Sequence, residues 1–132
     1  MRLLLTALIF LFGLFDLFIG ASFLLDPAGM AGSFGLAATG VHGLSSLRGD
    51  YPSFFGVTAV CMMLGAWRRN GDLLLVPAAL MGVVFCGRLV SLALDGTYPG
   101  WPMSMTIEAL HVVLLVAAWR VLPHHRIAEL TG

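Results

Sequence analysis

Four long apolar runs separated by short polar breaks dominate the chain. The first extends from Leu3 to Leu25 and stops at Asp26-Pro27, and the second from about Asp50 to Trp67. The third extends from Leu73 to about Leu94, and the fourth from about Trp101 to Leu122, before Pro123. About 20 mostly apolar residues suffice to cross a hydrocarbon layer about 30 Å thick, at a rise of about 1.5 Å per residue. Each run is therefore predicted to cross as a helix, since a lone strand in lipid would leave its backbone amides and carbonyls unpaired. Arg68-Arg69-Asn70-Gly71-Asp72 and Asp95-Gly96-Thr97-Tyr98-Pro99-Gly100 carry turn signals. Asp50 is placed to cap the second helix, and Pro52 suits its first turn.

The stretch 26–49 is rich in Gly, Ala and Ser and too weakly apolar to span. Met30, Phe34 and Leu36 are spaced to form one apolar side. A short helix opening at Asp26-Pro27 is expected, lying on the outer face and followed by an irregular return. The segment is either a lid over the mouth of the bundle or a plain connecting loop. The expected fold is all-α: a single domain over 1–132, an integral membrane four-helix up-down bundle with this outer-face helix or loop between helices 1 and 2.

Composition agrees. The chain is 59% hydrophobic and 11% charged, against about 45–50% and about 25% in soluble domains. A domain of 132 residues hides no more than about 68% of its unfolded surface from water, which leaves lipid to cover the rest. Net charge is zero and lysine is absent, so no basic face exists to grip nucleic acid. Cys61 and Cys86 fall inside apolar runs without C-x-x-C spacing, and both read as small buried hydrophobes.

Arginine sets the direction, because positive flanks stay preferentially in the cytoplasm. Arg2, Arg68, Arg69, Arg120 and Arg126 flank one side and Arg48 the other. Both termini are thus expected in the cytoplasm, in a bacterial inner membrane. Tyr51, Tyr98 and Trp101 would mark the outer interface, and Trp67 and Trp119 the inner one. The N-terminal run resembles a secretory signal, with Ile19-Gly20-Ala21 as a small-residue site. It is too long for one and contains Asp16, so it is expected to remain as the first helix.

Ionisable residues inside a span cost roughly 2.5–3.5 kcal/mol each on insertion scales, so each needs a partner or a task. Asp16 lies about 20 Å and Arg88 about 22 Å from the cytoplasmic start of their helices, and Glu108 about 10 Å below the outer start of the fourth, with His111 one turn deeper. All fall in the outer half or near the middle, with Arg48, Asp50 and Asp95 above them. Arg88, Ser91 and Asp95 share one stripe, and Glu108 and His111 another. Both stripes are expected to face inward, with Arg88 gripping Glu108 through the two-pronged geometry a guanidinium offers a carboxylate. Asp16 would join them or pair with Arg48.

Leu47-Arg48-Gly49-Asp50-Tyr51 resembles the Leu-Arg-x-x-Tyr/Phe element of the domain-of-unknown-function 4345 (DUF4345) family. Gly87-Arg88 followed by Ser91, Asp95-Gly96 and Glu108 is similar to that family's other shared stretch. The resemblance covers nearly the whole chain and implies a small bacterial four-helix membrane protein of unestablished activity. Where relatives often carry Gly-Gly after the aromatic residue, this chain has Pro52-Ser53, which argues against a close backbone approach there.

Two readings of the polar residues compete. In one, Asp16, Arg88 and Glu108 form a buried ion network that only fixes helix register. In the other, Asp16, Arg48, Asp50, Arg88, Ser91, Asp95, Glu108 and His111 line a cavity in the outer half that binds a lipophilic small molecule or a partner subunit. Histidine's ordinary titration near neutral pH makes Glu108, His111 and Asp16 the catalytic candidates if the protein is instead a small enzyme doing acid/base chemistry on a lipid or isoprenoid substrate. A carrier would need polar residues reaching both faces, and the inner half lacks them. Glu108-x-x-His111 imitates half of a di-iron motif, which requires two such pairs, so no metal or cofactor is expected. His42, His124 and His125 read as solvent-exposed. Membrane lipid is the expected partner, with a homo-oligomer or larger membrane complex as the other.

Overall fold

Unbroken stretches of Leu, Ile, Val, Phe and Ala make helices, and the Gly- and Pro-bearing breaks end them. The structure, a computed structural model, describes residues 2–124, all helix, turn or loop with no strand among them. The helices are α1 (Arg2–Leu25), α2 (Pro27–Ser33), α3 (Gly40–Trp67), α4 (Leu75–Leu94, entered through a 3-10 turn at Asp72–Leu74) and α5 (Trp101–Val121). Three segments, Arg2–Leu25, Asp72–Leu94 and Trp101–Val121, are long and apolar enough to cross a membrane. His125 and Arg126 lie outside the described residues.

α3 departs most from the hydropathy pattern. It begins at Gly40, not at Asp50, and its 28 residues extend about 42 Å at about 1.5 Å per residue. Its polar first half keeps it out of the apolar group. Thr39 is extended and Gly40 takes a left-handed φ of 63°, a turn that would cost another residue roughly 1–2 kcal/mol. Leu47 then buries against Phe23 and Ala31, so tertiary packing holds a segment whose own hydrophobicity is weak. Asp50 is an exposed residue within the helix rather than its cap. Pro52 is interior too and leaves the Arg48 carbonyl without its helical donor. The Ser53 hydroxyl donates to the adjacent Gly49 carbonyl at 2.6 Å.

α2 opens as its residues dictate: Asp26 accepts from the Gly29 amide at 3.1 Å, with Pro27 in the first turn. The loop after it is pinned by aromatic rings. Phe34 meets Phe23 edge-on at 5.1 Å, and Phe23 stacks on Tyr51 at 4.3 Å. Leu36 is exposed and does not join this cluster.

α1 lies along α3, and α4 packs chiefly on α5. The four long helices share one core of Ile9, Met62, Ala66, Leu74, Ala78, Leu115, Ala118 and Leu122. Two glycines let α1 approach α3 closely. A Cβ at Gly13 would come within 2.9 Å of Met63 Cγ and 3.2 Å of the Ala59 carbonyl, and one at Gly20 within 3.6 Å of Pro52 Cα. The close approach at Pro52 is thus supplied from the opposite helix. Gly82 and Gly87 on α4, by contrast, face open space. Cys86 is exposed and Cys61 half-buried, so neither is the buried hydrophobe the sequence suggested. Leu11, Phe18, Val83, Val90, Leu110 and Val113 are likewise exposed, forming the broad apolar exterior that a lipid environment would cover.

Arg2, Arg69 and Leu122 line one cavity, so the start of α1 and the ends of α3 and α5 share one end of the molecule, the arginine end. The α3–α4 turn is tied there by the Gly71 amide, which donates to the Pro123 carbonyl at 2.9 Å. His124 lies 2.8 Å from Asp72 and edge-on to Trp119, and so is partnered rather than simply exposed.

Candidate functional site

The buried positions of α1 are Ile9, Gly13, Asp16, Gly20 and Phe23, a stripe of three- and four-residue steps with a carboxylate at its centre. α5 buries Met105, Glu108, His111, Leu115 and Ala118 in the same rhythm. Asp16 and His111 are each 1% exposed, and Oδ2 of one lies 3.5 Å from Nε2 of the other. The Phe12 ring stands edge-on to the imidazole at 4.6 Å.

His111 Nδ1 lies 2.9 Å from the Ile107 carbonyl. A carbonyl only accepts, so Nδ1 carries the hydrogen, and Nε2 is the atom turned toward Asp16. Nε2 and the Asp16 carboxylate thus face each other at 3.5 Å across α5 and α1, without a hydrogen bond between them.

Glu108 faces the other way. Its Oε1 accepts from Arg88 Nε at 2.5 Å, and Arg88 Nη1 donates to the Tyr98 hydroxyl at 3.0 Å. Left-handed Gly96 (φ 92°) and Gly100 (φ 86°) turn the chain so that Tyr98 returns over Arg88. The Arg88 side chain remains 33% exposed, and only two of its five N–H groups are used in these bonds.

Asp16 Oδ2, Glu108 Oε2 and His111 Nε2 are buried without a hydrogen-bond partner among the described residues. Such a group costs about 1–3 kcal/mol when left unmade.

Of the expected network, the structure joins Arg88 with Glu108 and brings Asp16 to His111 instead of to Arg88 or Arg48. Arg48 donates to the Leu24 carbonyl at 3.3 Å. Ser91 and Asp95 bond each other at 2.8 Å and are exposed, so their stripe does not face inward. Asp50 joins none of these contacts and is exposed, as is His42. Tyr98 and Phe12 were not foreseen: Tyr98 reads as an interfacial aromatic until the glycines flanking its turn are considered, and nothing in the sequence singles out Phe12 among many phenylalanines.

The charged cluster lines neither of two cavities found among the described residues. One of about 580 Å³ lies beside α2, lined by Ala28, Leu36, Ala37, Ala38, Gly40, Val41 and Leu44. The other is at the arginine end. The α2 segment rests on Phe23, Tyr51 and Phe55. Among the described residues no group of three or more His, Cys, Asp or Glu is placed to hold a metal ion.

The family model Domain of unknown function (DUF4345) matches residues 4–119. The chain belongs to this family. The match includes every residue of the Asp16–His111 and Arg88–Glu108–Tyr98 groups. No curated protein and no solved structure matches this DUF4345 chain. Its site chemistry is thus what its own residues offer: a buried carboxylate and imidazole 3.5 Å apart on α1 and α5, and a guanidinium with donors to spare at the edge of α4 and α5.

Proposed function

We propose that this DUF4345 protein crosses the bacterial inner membrane four times, by α1, α3, α4 and α5 as an up-down bundle with both termini cytoplasmic. In this reading it binds a lipophilic molecule bearing an oxygen acceptor at the Arg88 edge. One observation carries it: Arg88 is ion-paired to Glu108 yet one-third exposed, with N–H groups left over. An arginine N–H turned to hydrocarbon is costly, and a carbonyl, hydroxyl or carboxylate on a ligand, or on a partner subunit, would satisfy it.

The acid/base reading has its own support in the Asp16–His111 pair, whose ring is oriented by Ile107 with Nε2 toward the carboxylate on α1. It requires substrate to reach groups that are 1% exposed and lie on neither cavity. The binding reading therefore takes precedence.

The test compares molecules extracted from protein purified in mild detergent, wild type against an Arg88→Met/Glu108→Met double variant, by mass spectrometry. The double variant removes both charges together and so is expected to stay folded. Loss of a co-purifying lipophilic compound with folded yield retained supports binding at this edge. The same extract from both proteins would defeat it.

A further inference from the structure

A cavity of about 300 Å³ at the arginine end is lined by Arg2, Leu3, Thr6, Arg69, Leu122 and Pro123. Two arginines line it, and among the described residues no acidic one does. The acidic residue at the α3–α4 turn, Asp72, is engaged by His124 at 2.8 Å. Among the described residues neither Arg2 nor Arg69 forms an ion pair. The rest of the lining is largely apolar, and Leu3 is 77% exposed beside it.

Arg69 is also an unexpected residue for its backbone. The Asn70 amide bonds the Gly65 carbonyl at 2.9 Å and the Arg69 amide bonds the Ala66 carbonyl at 3.3 Å, the paired bonds of a helix end whose left-handed position is usually glycine. Arg69 occupies that position with φ 51°, the only non-glycine with positive φ among the described residues. A side chain that the backbone disfavours thus stands where it lines the cavity.

We infer that this cavity binds the phosphodiester of an anionic phospholipid head group in the leaflet at the arginine end, with Arg2 and Arg69 gripping the phosphate. A guanidinium's fork of donors matches phosphate oxygens, and Leu3 and Leu122 supply an apolar wall for the first carbons of the chains. The inference rests on the membrane reading above.

The experiment uses full-length protein in detergent micelles, with native mass spectrometry after addition of phosphatidylglycerol, phosphatidylcholine or inorganic phosphate. Arg69→Gly suits the left-handed backbone, so its melting temperature is expected to be unchanged or higher. Its bound phosphatidylglycerol is expected to fall about tenfold or more, on the scale of a lost charge-assisted contact. Arg68→Gln, outside the cavity, should bind as wild type does. Equal retention of phosphatidylglycerol and phosphatidylcholine, or equal loss in both variants, would overturn the site. Displacement of phosphatidylglycerol by millimolar inorganic phosphate would overturn the lipid as its occupant. A failure of the membrane reading is seen separately, as release of the protein from membranes by alkaline carbonate.

Discussion

Arg88 and Glu108 are each other's support, and their substitution should show it. Removing one partner of a buried pair leaves a bare charge and costs about 3–5 kcal/mol, whereas replacing both by apolar residues is often neutral. Arg88→Ala and Glu108→Ala are each expected to lower folded yield and melting temperature strongly in detergent. Arg88→Met/Glu108→Met should recover most of the loss, and His42→Ala, exposed in the first turn of α3, should change nothing. Equal melting for all four proteins would mean that Glu108 is not buried against Arg88. This pairing was legible in the sequence because opposite charges inside apolar runs have few places to go. The partner of Asp16 was not: depth along a helix follows from residue count, but which helix it faces depends on rotation, and hydropathy is nearly blind to that in spans apolar on every side. Ser91 and Asp95 went astray for the same reason, since spacing fixes a shared stripe without fixing its direction.

Among the elements, α1 and α3 form the tightest pair, and their contact depends on missing side chains. Gly13→Leu would drive carbon atoms into Met63 and the Ala59 carbonyl, an overpacking expected to cost about 1–3 kcal/mol. Gly82→Leu on α4 meets open space and should leave melting within about 0.5 kcal/mol of wild type. If the two variants melt alike, the close α1–α3 approach is not what stabilises the pair. Helix ends were readable wherever an apolar run met Gly, Pro or Asp, as at Asp26 and Asp95. The start of α3 was not, because Gly40–Asp50 is held by Leu47 packing on Phe23 and Ala31, and a contact with residues far off in sequence leaves no trace in local hydrophobicity. Pro52 compounded the difficulty, since proline usually marks a first turn and here sits well inside the helix.

For the whole molecule, the clustering of Arg2, Arg68, Arg69 and Arg120 on the flanks of the long helices predicts a single orientation. Reporters fused to either terminus, active only in the cytoplasm, are expected to be active at both ends, and one inserted between Ala37 and Ala38 to be silent. Opposite signals from the two termini would rule out an even number of crossings. The two polar ties, Glu108 to Arg88 on α4 and His111 toward Asp16 on α1, both leave from α5, one turn apart. That helix is consequently the axle of the fold: a twist about its own axis would tug on both neighbours at once.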